Sequence, residues 1–127
     1  MSNVIQNSID LLVEQGWIKK TYYQTSQGFC MLGALAAAHI DHCVFENEED
    51  VDIFFSDLIF YDQELKSILE ILSGVIADQY GYVIPPDSIN TDAHRNLIAD
   101  FNDSDSTQWD DILVVMQKAA LVLDEHI

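Results

Sequence analysis

The sequence predicts a mainly α-helical fold, a compact single domain over residues 1–127 built as a bundle of five or six helices. Three observations lead to this prediction. The chain has the length of one domain, 127 residues, and 49% of them are apolar, which is enough to fill one core. Apolar residues recur at helical spacing in successive segments. Residues that start or stop helices, chiefly Asp, Thr and Gly, fall between those segments.

The N-terminal third predicts two helices joined by a polar connection. Residues 4–15 predict an amphipathic helix that Gly16 ends, with Ile5, Ile9, Leu12 and Val13 on its apolar side. Residues 19–28 are polar, and both a small β arm near 18–28 and an irregular loop fit them. Residues 29–40 are uncharged and rich in alanine, which predicts a central helix buried on all sides. Its small residues Cys30, Gly33, Ala34 and Ala37 share one face and predict the close approach of another helix.

The segment 47–60 predicts a helix whose first turn is loaded with acidic residues, where the helix dipole favours them. A strand over 52–60 is the alternative, because its residues favour β structure. Val51, Phe54, Phe55, Leu58 and Ile59 form an apolar arc that we expect to face the core. Ile53 and Phe60 lie on the other side, so this helix is either buried on two sides or presents a second contact surface.

The C-terminal half predicts three more helices. Asp62 begins a helix that runs to residue 80 and ends at Gly81. Thr91 begins a short helix to about residue 101, and a polar turn follows over 102–106. Thr107 with Asp110 is expected to cap the last helix. The apolar faces of these helices are Leu65, Ile68, Leu69, Leu72, Val75 and Ile76; Leu97, Ile98 and Phe101; and Trp109, Ile112, Leu113, Met116, Ala119, Ala120 and Leu123.

The charge of the chain restricts its partners. It has 22 acidic residues against 5 Lys plus Arg, a formal charge of −17, so direct binding to nucleic acid or to an anionic membrane is not expected. Residues 41–64 carry nine of the acids and no Lys or Arg, whereas residues 1–40 are neutral overall. This acidic stretch is either a solvated face or a surface that docks on a basic protein surface. The predicted partner-binding residues are Glu48, Glu49, Asp50, Asp52, Ile53, Asp57 and Phe60.

The sequence also bears on the expected location of the protein. No apolar stretch has the length of a membrane span, and the first residues lack the basic start and apolar region of a signal peptide. With two cysteines, Cys30 and Cys43, a disulfide framework is not expected, so the predicted location is the cytoplasm.

No catalytic residue is favoured by the sequence, and the expectation leans away from an enzyme. The alternative is a cysteine-dependent hydrolase or transferase in which Cys30, near a helix start, is the nucleophile. His94 would then be its base and Asn102 or Asp103 the orienting group. The simpler interpretations are that Cys30 is a packing residue and that His94 lies at the edge of the core with Leu97 and its neighbours.

Cofactor and metal sites have no support from motifs. His39, His42 and Cys43 could together approach a metal ion, but no fourth ligand stands at a recognisable spacing. Calcium loops and glycine-rich phosphate loops are also absent from the sequence. We therefore predict neither a metal nor a cofactor.

Three short motifs nevertheless point to a family. They are Gly16-Trp17 after the first helix, the segment from Phe29 to Leu35 (Phe-Cys-Met-Leu-Gly-Ala-Leu), and Phe101-Asn102-Asp103 before a final helix with Thr107 and Ala119-Ala120. Together they resemble a small family of unknown function found in bacteria and their phages. Phe101 stands where that family has Trp, and residues 41–90 are longer and more acidic. The resemblance implies no activity, but it implies a phage or mobile-element origin and a bacterial host.

These observations favour an acidic protein-interaction module, a phage or mobile-element protein that binds a basic surface of a host factor. Two alternatives remain at this point. One is the cysteine-dependent enzyme based on Cys30. The other is a structural protein that self-associates into a homo-oligomer through Ile53, Phe54, Phe55 and Phe60.

Overall fold

Six helices and one two-stranded sheet make up the described part of the chain, which comprises residues 3–24, 26–40, 48–83 and 91–125 of a computed structural model. In chain order the elements are α1 (Val4–Gln15), β1 (Tyr23–Gln24), β2 (Gly28–Phe29), α2 (Met31–Ile40), α3 (Glu48–Tyr61), α4 (Gln63–Tyr80), α5 (Thr91–Asp103) and α6 (Trp109–Glu125). The predicted helical bundle with a small β arm is therefore confirmed.

Helix α1 is capped by a residue that also ties it to the end of α6. Asn3 Oδ1 accepts a hydrogen bond from the Gln6 amide at 3.1 Å, while Asn3 Nδ2 donates to the Ala120 carbonyl at 2.8 Å. Gly16 ends the helix with a φ of 110°, a backbone conformation that favours glycine. The prediction that Val13 faces the core is wrong, since Val13 is exposed and Ser8 is buried instead. Ser8 tolerates burial because its hydroxyl donates to the Val4 carbonyl at 2.7 Å.

The β arm packs directly against the start of α2. Its two strands pair antiparallel, with Tyr23 opposite Phe29. The expectation that another helix lies against the small-residue face at Gly33 is wrong at that position. A Cβ added there would overlap the backbone carbonyl of Tyr22, which precedes β1. Gly33 therefore admits the β arm, because a peptide backbone can approach an α-helix closely only where the side chain is absent.

Helix α2 is the central helix, as its uncharged sequence predicts, but it begins at Met31 instead of residue 29, and residues 38–40 are only partly buried. Every residue from position 31 to position 37 is buried, and α1, α3, α4 and α5 all contact it. Helix α4 is capped as predicted, because Asp62 Oδ1 accepts from the Leu65 amide at 2.9 Å. Gly81 ends α4 with a left-handed φ of 76°. Each of these helix ends satisfies backbone groups that a helix leaves unpaired.

Helix α3 confirms the helical prediction for this segment and rules out the alternative strand. Its buried side is Val51, Phe55 and Ile59. Phe54 was expected in the core, but it is exposed because it lies about 100° around the helix from Phe55. The interpretation that α3 is buried on two sides is also wrong, since Ile53 and Phe60 are exposed.

The junction between α5 and α6 differs from the prediction. Residues 102 and 103 were expected in a turn, yet they form the last residues of α5. The last helix begins at Trp109, and Asp111 Oδ2 rather than Asp110 accepts from the Gln108 amide, at 2.8 Å. Thr107, the expected cap, is buried beside this junction. Among the described residues, no helix combines the length and the apolar character that crossing a membrane requires.

Candidate functional site

The buried amide of Asn102 joins the three motifs that distinguish this sequence. Its Oδ1 accepts hydrogen bonds from the Trp17 indole at 2.8 Å and from the Met31 amide at 3.0 Å. Its Nδ2 donates to the Ile18 carbonyl at 3.1 Å and to Asp103 Oδ1 at 3.0 Å. Asn102 is only 1% exposed, so this one side chain satisfies polar groups from separate parts of the chain inside the core.

The neighbouring residues extend this network to the surface. Asp103 Oδ1 also accepts from the Lys20 amide at 2.7 Å, and it holds Lys20 in a left-handed conformation with a φ of 75°. Lys19 Nζ donates to the carbonyls of Ser104 at 2.6 Å and Thr107 at 3.1 Å. The connection before β1 is thus fixed to the end of α5 by both side-chain and backbone groups.

A pocket of about 340 Å³ lies beside this network, between the connection before β1, the start of α2, helix α3 and helix α5. Its lining contains two cations, Lys20 and Arg95, and two carboxylates, Asp52 and Asp103. Leu32 and Ala99 add apolar surface. Its volume falls at the lower end of the range for small-molecule pockets, about 300–1,000 Å³.

Cys30 lines this pocket but is a poor nucleophile in it. Burial raises the pKa of the Cys30 thiol to about 12. The Gly33 amide donates to the sulfur at 3.3 Å and lowers that pKa, but the nearby charge of Asp103 raises it further. The thiol is therefore protonated at neutral pH, whereas nucleophilic cysteines react as thiolates.

The structure brings three of the four residues of the catalytic alternative together. Cys30, Asn102 and Asp103 all line the pocket, but His94 does not. His94 lies eight residues before Asn102 on α5, about 12 Å away along the helix axis. Its Nδ1 is 2.6 Å from Ser73 Oγ of α4, and the ring is buried, as the core interpretation of His94 predicts.

The candidate metal residues are only partly described. His39 Nε2 lies 3.0 Å from Asp62 Oδ2, and its Nδ1 lies 3.9 Å from Glu64 Oε2. His42 and Cys43 lie outside the described residues. Within the described ranges, no group of three or more His, Cys, Asp or Glu side chains is placed to hold a metal ion.

A second candidate site is an exposed side of α3, which we call the α3 face: Ile53, Phe54, Asp57, Phe60 and Tyr61. The exposed fractions are 66% for Ile53, 48% for Phe54, 41% for Phe60 and 75% for Tyr61. Phe60 and Tyr61 contact each other, with ring centroids 5.9 Å apart. The guanidinium carbon of Arg95 lies 5.7 Å from the Phe60 ring centroid at the edge of this face.

The predicted partner-binding residues divide between these two sites. Ile53, Asp57 and Phe60 belong to the α3 face, whereas Asp52 is half-buried and lines the pocket. The side chains of Glu48, Glu49 and Asp50 lie outside the described part of the chain. Phe55, which the self-association alternative includes, is fully buried.

Sequence reasoning missed the pocket and the role of Asn102 in it. The Asn102-Asp103 pair was expected only as the start of a polar turn before the last helix. Its partners are instead Trp17 and the residues around it, about 85 positions earlier in the chain. A polar Asn at an apolar-face position of α5 is the sequence signal that could have suggested a buried hydrogen-bonding role.

Comparison with known proteins identifies the chain by family alone. A model described as a family of unknown function, DUF6197, matches residues 1–122, so the chain belongs to that family. The resemblance to a family of unknown function is therefore confirmed. No curated protein and no solved structure matches the chain.

Proposed function

We propose that this member of a family of unknown function is a protein-interaction module that binds a basic, partly apolar surface of another protein through the α3 face. One observation carries the proposal: four large apolar side chains on one side of α3 are exposed together. A soluble protein gains nothing from such a cluster in water, and contiguous exposed apolar surface is typical of interaction sites.

The composition of the α3 face matches the centres of known protein interfaces. Aromatic side chains are enriched there, and Phe60 and Tyr61 already contact each other, so docking would fix little additional rotamer freedom. Asp57 lies among the apolar side chains and gives the face a negative charge at its centre. A partner with an apolar surface that carries one or more cations would satisfy both features.

The charge around the α3 face supports a basic partner. Residues 41–64 hold nine acids and neither Lys nor Arg, so the field near α3 is negative. Such a field speeds association with a cationic surface and repels anionic ones, and salt weakens it. In our proposal the partner is a factor of a bacterial host, the protein originates from a phage or mobile element, and the two meet in the cytoplasm.

Binding is proposed in preference to catalysis because of the state of Cys30. Its thiol is buried and protonated at neutral pH, and His94, its prospective base, is engaged with Ser73. The pocket therefore offers polar recognition groups without an activated nucleophile.

Affinity capture with matched variants tests the proposal. Purified protein is used to capture proteins from a lysate of the host bacterium, and the captured protein is then purified and titrated at several salt concentrations. Ile53→Ser should weaken binding about tenfold, as expected for loss of one apolar interface residue. Asp57→Lys should weaken it and flatten its dependence on salt.

Two control variants make the same chemical changes elsewhere. Leu121→Ser removes an exposed apolar residue from α6, and Glu125→Lys reverses an exposed acid near the end of α6. Equal losses in the control variants and the α3 variants would contradict the proposal. If light scattering instead shows a dimer of the 14.4 kDa chain that Ile53→Ser dissociates, the α3 face serves self-association.

A further inference from the structure

We infer that a partner docked on the α3 face inserts one uncharged aromatic side chain into the pocket beside Asn102. This inference rests on the function proposed for the α3 face and adds the class of residue that the partner supplies. Three features carry it: the pocket adjoins the α3 face, its lining has no net charge, and most of the surface inside it is apolar.

The pocket and the α3 face adjoin each other at two points. Arg95 is shared between them, because it lines the pocket while its guanidinium carbon lies 5.7 Å from the Phe60 ring centroid. Asp52, which also lines the pocket, directly precedes Ile53 of the α3 face along the helix. A partner that covers both Ile53 and Phe60 therefore lies beside the pocket, within reach of a side chain.

The charges that line the pocket favour an uncharged occupant. Lys20 and Arg95 balance Asp52 and Asp103, so the lining carries no net formal charge. The two signs are also close together, since the Lys20 amide donates to Asp103 Oδ1 at 2.7 Å. Arg95 already contacts the Phe60 ring. A charged side chain would lose its hydration in this pocket and meet charges of both signs.

The walls of the pocket favour an aromatic side chain. Most of the surface inside the pocket is apolar, and its lining includes Cys30 and Leu32, which are only 7% and 3% exposed and so form part of the inner wall. Tyr22 also lines the pocket, and its ring meets the Phe55 ring edge-on with centroids 6.2 Å apart. An aromatic occupant next to Tyr22 would gain a ring contact that an aliphatic occupant lacks.

The size and the outer lining of the pocket suit a single anchoring residue. A volume of about 340 Å³ accommodates one large side chain. Thr21 and Asn96 are more exposed than Cys30 and Leu32, and their hydroxyl and amide groups can bond to the backbone of the residue that carries the ring. Aromatic side chains that fill such pockets contribute much of the binding energy in protein interfaces.

Titration with blocked amino acids tests the pocket by itself. N-acetyl-tyrosinamide, N-acetyl-leucinamide and N-acetyl-argininamide carry an aromatic, an aliphatic and a cationic side chain on the same uncharged backbone. Each is titrated into isotope-labelled protein, and the amide NMR signals of Thr21 and Ala99 report occupancy of the pocket. We expect the tyrosine compound to bind at least about threefold more tightly than either of the others. Equal affinities, tighter binding of the arginine compound, or signals that do not move would overturn the inference.

Two variants that close the pocket extend this test. Ala99→Leu fills it from α5, and Asn96→Phe places a ring at an exposed position of its lining. Each should weaken binding of the tyrosine compound at least about tenfold. Ala77→Leu makes the first change at a partly buried position of α4 outside the pocket and should leave the affinity unchanged. Circular dichroism checks that the variants fold, and undiminished binding in a folded pocket variant would overturn the inference.

The partner captured from the lysate separates this inference from the proposed function. Ala99→Leu should weaken binding of that partner about tenfold, as Ile53→Ser does, and N-acetyl-tyrosinamide should compete with it. If Ile53→Ser weakens binding but Ala99→Leu and the tyrosine compound do not, the inference fails while the proposed function stands. If Ile53→Ser has no effect, the proposed function fails and the inference with it, and a pocket that still binds the tyrosine compound is then a site for a free aromatic molecule.

Discussion

The side-chain amide of Asn102 satisfies several buried polar groups, and no sequence pattern around it indicates this role. Two donors, the Trp17 indole and the Met31 amide, depend on its single oxygen, and the Ile18 carbonyl depends on its nitrogen. A buried polar group without a partner costs about 1–3 kcal/mol. At the residue scale, the stability of the region around the pocket therefore rests on one side chain.

Replacing this side chain tests that dependence. Asn102→Ala should lower the free energy of unfolding by about 3 kcal/mol, because several buried groups lose their partner at once. Asn96→Ala, an exposed position on the same helix, should change it by less than about 0.5 kcal/mol. Urea denaturation followed by far-UV circular dichroism measures the free energy of unfolding of both variants. Circular dichroism is preferred to fluorescence, because Asn102→Ala would itself change the fluorescence of Trp17. Equal effects in the two variants would contradict the assignment.

Single residues were also the level at which the sequence was least informative. Burial of Cys30 follows from its place among small apolar residues, and burial of His94 from the apolar arc that contains it. The contacts of Asn102 with Trp17 and of Arg95 with the Phe60 ring could not be predicted, because they join distant segments of the chain. The spacing of apolar residues indicates which side of a helix a residue occupies, but it does not indicate which element packs against that side.

At the scale of elements, the close approach of the β arm to α2 requires glycine at position 33. Helices were predictable here because caps, stops and apolar spacing agree for each one, as Asp62 and Gly81 show for α4. The element packed against Gly33 was not predictable, since small residues admit a helix and a strand equally well.

Two glycine substitutions separate helix propensity from close packing. Both Gly33 and Gly74 are inside helices, so Ala should stabilise each helix by about 0.5–1 kcal/mol through propensity alone. A Cβ at Gly74 meets no atom within 4 Å, so we expect that gain in full. A Cβ at Gly33 overlaps the Tyr22 carbonyl, and Gly33→Ala should instead destabilise by about 2 kcal/mol. Thermal denaturation of both variants gives the comparison, and stabilisation by both would show that the arm does not lie against α2 as described.

For the whole molecule, the net charge of −17 is read from the sequence directly, but the use of individual acids is not. Within the acidic stretch 41–64, Asp57 lies on the α3 face, Asp52 lines the pocket and Asp62 pairs with His39. Sequence position alone cannot distinguish an acid that repels its neighbours from one that stabilises the fold. These two effects respond oppositely to pH, which gives a way to separate them.

Lowering the pH reduces the net charge of −17 and so relieves the overall repulsion within the folded chain. Asp62 acts in the other direction. Burial alone would raise its pKa, but hydrogen bonds from the Leu65 amide and the His39 ring outweigh burial, so the pKa lies below its ordinary value. A carboxylate of this kind stabilises the fold fully above its unfolded-state pKa of about 4, and this contribution is lost as pH falls through the folded-state pKa.

Asp62→Asn isolates this contribution, because Asn still caps a helix but carries no charge. The variant should be about 1 kcal/mol less stable than the original protein at neutral pH, and this difference should stay constant down to about pH 4 and shrink below it. Urea denaturation across that pH range measures it. Glu70→Gln, an exposed position on the same helix, removes the same charge and so reports the general effect of repulsion. If the stabilities of the two variants show the same dependence on pH, the contact between His39 and Asp62 contributes nothing to stability beyond the effect of net charge.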